Sequence, residues 1–492
     1  MTRTASGILL VLLLTAMPIS AFEVRLVRAW TGTVYVNADG SVSPPDAPVR
    51  RSGDFYTLTG DISSSGDGVV ILRNNMTLDG AGYFIQGPGG GGSNGVYIES
   101  RSNLTIRNVR LEAFDYGIFL SQSSNVNLAE NGLTDNLKDG VSLYESTNNG
   151  LFRNNIANNW DGIELIASNN NTICGNNIEA NLHYGIGLCS SENNGVYHNS
   201  FVGSMYQQVS ACANLPNIWC DSYPSGGNYW SDYTGVDMYG GLFQNETGSD
   251  GIGDTRYFID ENNTDRYPLL GVWTETGENV SVIHPSGISF IFSKVVSGGV
   301  TVINKSSVGP TLPSGFRDAS KPPLYYYIRI TANYTGLVTL GVVYDRNGLT
   351  PLEQNLLNLI HWNYTLQKWE NVTVHVDTVN NVAYGETTDL STFTLVIPLL
   401  GDINKDGTVD IYDAIILASA FGSKPGSPNW NLNADINNDG NVDIYDAIIL
   451  AKNYGNPHTS FVFSQHFNLC VGSNREIVLD SEFEISGGGA VL

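Results

Sequence analysis

The chain has 492 residues, enough for roughly three to five domains of ordinary size. It carries 24 Lys and Arg against 48 Asp and Glu, a formal net charge of −24, which argues against a general nucleic-acid binder or a binder of anionic membranes. With 54 Gly and only 15% charged residues, the composition is that of a turn-dense, mainly β chain and not of charge-driven disorder.

Residues 1–21 read as a secretory signal. Arg3 supplies the positive start, Ile8 to Leu14 an apolar run, and Pro18-Ile19-Ser20-Ala21 a cleavage zone. An uncleaved N-terminal anchor is the alternative, and no later segment reaches the ~18 apolar residues of a membrane span. The mature chain is therefore expected to be secreted or at the cell surface, where ten Asn-x-Ser/Thr sequons permit glycosylation. Five cysteines suit an exported protein with one or two disulfides, and Cys174, Cys189, Cys212 and Cys220 cluster together.

After a cap region expected over 22–55, a repeat dominates. Gly95, Gly117, Gly140, Gly162 and Gly185 stand 22 or 23 residues apart. Apolar residues follow each Gly at +1 and +3, and Asn follows at +8: Asn103, Asn125, Asn148, Asn170 and Asn193. A second Asn column runs through Asn131, Asn154, Asn176 and Asn199. Short alternating strands with Gly and Asn at the bends, repeating at this period, build a right-handed parallel β-helix over 56–206. Its apolar columns form the core, while Asn tolerates left-handed turns and can bond the Asn of the next coil. If Gln208 takes the place of Gly185 one coil on, Cys212 stacks on Cys189 and the two can form a disulfide, with Cys212–Cys220 as competitor.

Beyond Phe201 the period decays into a C-terminal cap expected over 207–271. It contains Gly226-Gly-Asn-Tyr-Trp-Ser-Asp-Tyr233, Asp250-Gly-Ile-Gly-Asp254 and Ile259-Asp-Glu-Asn-Asn263. With the repeats before them, these stretches resemble the NosD-like β-helix family, also grouped as carbohydrate-binding and sugar-hydrolase repeats. From 272 to 399, segments such as Val300–Ile303, Tyr325–Ile330, Val338–Val343 and Val372–Val376 predict a β-sandwich, with a short helix over Pro351–Ile360.

Residues 402–413 and 435–446 carry the same twelve-residue pattern. Each supplies hard oxygens at positions 1, 3, 5, 9 and 12, a backbone carbonyl at position 7, and Gly at position 6 for the sharp turn. The expected calcium ligands are Asp402, Asn404, Asp406, Thr408, Asp410 and Asp413, then Asp435, Asn437, Asp439, Asn441, Asp443 and Asp446, for two ions. Both loops run into an Ala-Ile-Ile-Leu-Ala helix, and only 21 residues separate them, too few for two full helix-loop-helix hands. The pair, at 401–455, resembles a type I dockerin. The resemblance implies docking to a cohesin-type scaffold domain, with Ile411, Tyr412, Ile444 and Tyr445 at the recognition positions. The tail 456–492 gives no clear reading.

A mixed strip precedes the column glycines. Asp139 and Asp161 should lie on adjacent coils, flanked by Tyr116, Trp160 and Tyr184. Rings stack on sugar faces and carboxylates bond hydroxyls, so the strip suits a polysaccharide. Paired carboxylates could also hydrolyse a glycosidic bond, although Asp before Gly is ordinary turn chemistry as well. The expected function is thus a secreted carbohydrate-binding or polysaccharide-degrading component on a cohesin scaffold, whether or not an enzyme. The alternatives are a non-catalytic surface or adhesion scaffold and, less favoured, NosD-like copper handling. Copper prefers His, Cys or Met, and the seven His are scattered.

Overall fold

The computed structural model describes residues 29–455 and the backbone of a strand pair, Asn468–Val471 with Ile477–Asp480. The signal expected at 1–21 lies outside the described residues. The described chain divides into two compact units. One holds the chain up to Val196 with Ser200–Ile218 and Ile259–Asn263; the other holds Tyr197–Asn199, Trp219–Phe258 and Thr264 onward.

The first unit is a right-handed parallel β-helix whose coils each lay one strand on three sheets. Strands Asn94–Glu99, Tyr116–Ser121, Asp139–Tyr144, Asp161–Ile166, Tyr184–Cys189 and Gln207–Ala211 stack in parallel register and form the sheet that matters below. The +1 and +3 residues point inward: Ile118, Leu120, Val141, Leu143, Ile163 and Leu165 are all fully buried. Each such side chain contributes about 2 kcal/mol of apolar burial, so the stacked columns supply the driving force. Parallel pairing already begins at Trp30–Thr31 and Val34–Val36, ahead of the Tyr56 run. Antiparallel strands Val42–Ser43 and Val49–Ser52 then cover two open sheet edges.

The glycine column is set by room. A Cβ on Gly95 would lie 2.4 Å from the carbonyl oxygen of Gly117, and one on Gly162 2.5 Å from that of Gly185. The Asn residues divide the two tasks expected of one column. Those at +8 (Asn103, Asn125, Asn148, Asn170 and Asn193) take the left-handed turn, with φ between 54° and 59°. Other, buried Asn form the ladders. Asn131 donates to Asn154 at 3.0 Å and Asn154 to Asn176 at 2.9 Å. Asn149, Asn171 and Asn194 form a second ladder, and Asn136, Asn159 and Asn181 a third. Cys189 and Cys212 are joined by a disulfide, their Cα atoms 5.1 Å apart.

In the second unit, the Gly226-Gly-Asn-Tyr-Trp stretch is organised by Asp265. Its buried carboxylate accepts hydrogen bonds from the N–H groups of Asn228 (2.8 Å) and Tyr267 (3.1 Å) and from Trp230 Nε1 (2.9 Å). A side chain on Gly227 would occupy that carboxylate's place, with Cβ 1.9 Å from Oδ1. Two antiparallel sheets follow as a β-sandwich, closed over Phe290, Phe292, Val338, Leu340, Leu359 and Phe393. The helix expected over 351–360 is half right. Helix α1 spans Pro351–Asn355, capped by Thr350 and Glu353, but Asn358–Asn363 is a strand. Leu359 and Ile360 there pair with Leu395 and Thr394, and sheet pairing outweighs the local helical pattern. After the sandwich, helices α2 (Ile411–Ala420) and α3 (Ile444–Asn453) pack over Ile403, Val409, Leu417, Ile436, Val442 and Leu450.

Candidate functional site

Asp139 and Asp161 are register partners on neighbouring strands of the β-helix. Their surroundings differ. Asp161 accepts a hydrogen bond from the Tyr184 N–H at 2.8 Å and pairs with His183 Nδ1 at 3.1 Å. Asp139 is only 7% exposed, and burial, reinforced by the charge of Asp161, pushes its carboxyl up to about 7 against a hydrogen bond from Ser142. Glu164 is a third carboxyl of this group. It faces the same side of the sheet, paired in register with Ser142 and Gly187. Burial first, then Asp139 and Asp161, push it up to about 8.

Glu164 carried no signal of its own in the sequence. The Gly at each coil start interrupts the alternation, so −1 and +2 share the outer face although they are three residues apart. That break follows from packing at the glycine and not from strand periodicity.

Aromatic rings border the acids on both sides. Trp160, 49% exposed, lies 5.3 Å from the His183 ring, which in turn contacts Tyr184 at 3.7 Å and Tyr206 at 5.4 Å. Across the acid group, Tyr116 carries Lys138 Nζ 4.7 Å above its ring and packs on Phe119 at 5.2 Å. The structure thus gathers Trp160 and Tyr184 on one flank and Tyr116 on the other. Asp115 is a turn residue, its carboxylate accepting the N–H groups of Gly92 and Ser93. Turn chemistry therefore accounts for Asp115 and part of Asp161, but not for Asp139 or Glu164. A separate cavity of about 680 Å³ on another sheet, lined by Phe84, Arg110, Glu130 and Arg153, lies among other residues, and Arg153 is paired there with Glu130.

The two loops repeat atom by atom. Asp402 accepts the N–H groups of Asp406 (3.1 Å) and Gly407 (3.0 Å); Asp435 accepts those of Asp439 (3.1 Å) and Gly440 (2.9 Å). Asp413 takes Ile403 N–H at 2.7 Å and Asp410 N–H at 2.9 Å; Asp446 takes Ile436 N–H at 2.7 Å and Asp443 N–H at 2.8 Å. Position 9 has a second task, since Asp410 and Asp443 cap α2 and α3 with position 12 as the reciprocal partner. Gly407 and Gly440 take the sharp turn at φ 97° and 86°.

As they stand, the loop carboxylates are turned onto their own backbone, and among the described residues no three His, Cys, Asp or Glu side chains converge as an ion cage. The donors nonetheless fit a hard dication. Asp413 and Asp446 are wholly buried and have no cationic partner among the described residues, and burial raises Asp402 and Asp446, with neighbouring loop aspartates adding to the rise. Asn404, Asp406 and Asp439 are exposed at the rim and Asn437 is half-buried, with Thr408 and Asn441 following the Gly turns.

On the outer face of the helices, Tyr412 and Tyr445 are 64% and 63% exposed, beside exposed Ile411 and Ile444. Ile415 and Ile448, one turn on, extend each patch; the helical period alone marks them. Of the candidate copper ligands, His183 is engaged by Asp161, and His198 stacks on Trp273 at 3.9 Å.

Residues 47–235 match the family described as periplasmic copper-binding protein (NosD), and residues 400–454 match the dockerin type I domain. The chain thus carries a NosD-like β-helix and a C-terminal type I dockerin, a module whose ion is calcium. No curated protein matches it. Among solved structures, the periplasmic alginate epimerase AlgG is similar at 17% identity, over 36% of this chain and 70% of that one, with a TM-score of 0.19. The Dettilon tailspike protein is similar at 12% identity, over 75% and 85%, with a TM-score of 0.23. The mannuronan C-5 epimerase AlgE4 A-module of Azotobacter vinelandii is similar at 16%, over 39% and 86%, with a TM-score of 0.14. At these scores none of the three bears on activity. No helix among the described residues is long and apolar enough to cross a membrane.

Proposed function

We propose that this is an exported polysaccharide-binding subunit that plugs into a cohesin-bearing scaffold through its calcium-loaded dockerin. The observation that carries the reading is the duplicated loop and helix, matched hydrogen bond for hydrogen bond. Each loop holds one calcium ion through its own six of the twelve residues named above. Calcium held there would supply the positive charge that offsets the mutual repulsion of the loop carboxylates. Ile411, Tyr412 and Ile415 form one docking patch and Ile444, Tyr445 and Ile448 its equivalent, so either helix can meet the partner. The Cys189–Cys212 disulfide and the dockerin itself both favour a site of action outside the cytoplasm.

The β-helix contributes the glycan contact. Trp160, Tyr184 and Tyr116 offer ring faces, and Asp139 and Asp161 offer oxygens for sugar hydroxyls. Cleavage at the same strip is the second reading, favoured by the unequal surroundings of Asp139 and Asp161, since an acid and a base must differ. Titration calorimetry of the full chain against purified type I cohesins tests the docking half. Binding with calcium that disappears with chelator supports it; no binding to any cohesin of a broad panel rejects it.

A further inference from the structure

The six stacked strands of the strip's sheet contain four carboxyl residues (Glu99, Asp139, Asp161 and Glu164) and no Lys or Arg. Lys138, whose charge reaches Asp139, is drawn aside over the Tyr116 ring, with Nζ 3.4 Å from its hydroxyl. His183 is occupied by Asp161. A sugar carboxylate laid here would find no bidentate cationic partner and several carboxyl groups, and recognition of a uronate needs the reverse.

One feature of the register adds a specific contact. The outward +2 position is Tyr97, Phe119, Ser142, Glu164, Gly187 and Ser210 in successive coils, so a notch opens only at Gly187. Glu164 fills it: a Cβ on Gly187 would lie 1.7 Å from Glu164 Oε2 and 2.8 Å from its carboxyl carbon. Among the described residues Glu164 has neither hydrogen bond nor ion pair. Its carboxyl thus lies against Gly187, close enough to feel the charges of Asp139 and Asp161, with its hydrogen-bonding capacity unspent.

We propose that the strip takes an uncharged polysaccharide and excludes polyuronates, and that Glu164, seated in the Gly187 notch, bonds a hydroxyl of the bound sugar. This rests on the reading of the strip as a glycan site. The raised Glu164 carboxyl agrees with it, because a neutral acid both donates to and accepts from a hydroxyl, while another carboxylate nearby would add to the repulsion already present.

Affinity electrophoresis of the full chain with calcium tests this, using xylan, mannan, galactan and mixed-linkage glucan beside alginate and polygalacturonate. At least one neutral polymer should retard the protein and neither polyuronate should. Trp160→Ala and Glu164→Ala should each weaken that retardation about fivefold, with circular dichroism preserved and the thermal midpoint not lowered. Gly187→Ala, which displaces the Glu164 carboxyl without removing it, should do the same. Retardation by a polyuronate that Trp160→Ala abolishes would overturn the exclusion and leave the glycan strip standing. Retardation by no polymer, or by a neutral one that ignores all three substitutions, would overturn the strip itself.

Discussion

The side chain of Asn154 donates a hydrogen bond to that of Asn176, one coil away, across 2.9 Å of fully buried space. The same Nδ2 also donates to the Leu128 carbonyl at 2.9 Å, and its Oδ1 accepts from the backbone and side-chain nitrogens of Asn131 at 3.0 Å. One amide thus satisfies polar groups of three coils where no water reaches.

Asn154→Ala removes four buried hydrogen bonds, two donated by its Nδ2 and two accepted by its Oδ1. At about 1 kcal/mol for each lost bond, the β-helix should lose about 4 kcal/mol. Asn170→Ala, at an exposed left-handed turn, should cost about 1 kcal/mol through backbone strain alone. Denaturant unfolding measures both; equal losses would contradict the division of labour between the two kinds of Asn.

Gly162→Ala places a methyl 2.5 Å from the Gly185 carbonyl oxygen and 2.8 Å from Ile178 Cγ2. Neither backbone nor core can move aside cheaply, so the expected cost is about 3 kcal/mol or failure to fold. Gly132→Ala meets nothing closer than 3.7 Å, at Arg110 Cγ, and should be tolerated. Expression yield and thermal midpoint separate the two.

The carboxyls of Asp139 and Glu164, raised to about 7 and about 8, make stability depend on pH. Both bind protons more tightly folded than unfolded, so their contribution is fully present below the ordinary carboxylate range. It is lost as pH rises through about 8. Asp265, raised to about 7 by burial, adds the same sign in the other unit. The thermal midpoint of the wild type should fall from pH 5 to pH 9, and Glu164→Gln should flatten that fall and gain about 3 °C at pH 9. A midpoint that rises over this range would contradict the assignment.

Calorimetric titration should count two calcium ions for the full chain and one for either Asp413→Ala or Asp446→Ala, because each loop holds its own ligand set. An unchanged count of two in both variants would remove position 12 from the ligands.

The paired docking patches predict redundancy. Tyr412→Ala or Tyr445→Ala alone should reduce cohesin affinity no more than about threefold, since the other helix still presents its ring. The double substitution should abolish binding, as loss of a central aromatic anchor costs 2 kcal/mol or more at about its usual value. Binding lost with one substitution alone would assign docking to a single face.

Periodicity and spacing were enough for the β-helix, the inward columns, the sandwich class and the paired loops. Each is a local pattern repeated until chance is excluded: Gly95 to Gly185 at one period, and Asp402 to Asp413 copied at Asp435 to Asp446. The Cys189–Cys212 pairing followed from the same register, because stacked coils convert sequence spacing into distance. Tertiary structure decided what depends on neighbours across coils. It moved 358–360 from helix to strand, since the Thr392–Pro398 strand offers partners that local propensity cannot sense. It separated turn Asn from ladder Asn, which are the same residue in the same kind of repeat and differ only in burial. It brought Glu164 to Asp139 and Asp161, because the bend at each column glycine turns residue +2 to the face of residue −1, and it opened the Gly187 notch that receives the Glu164 carboxyl.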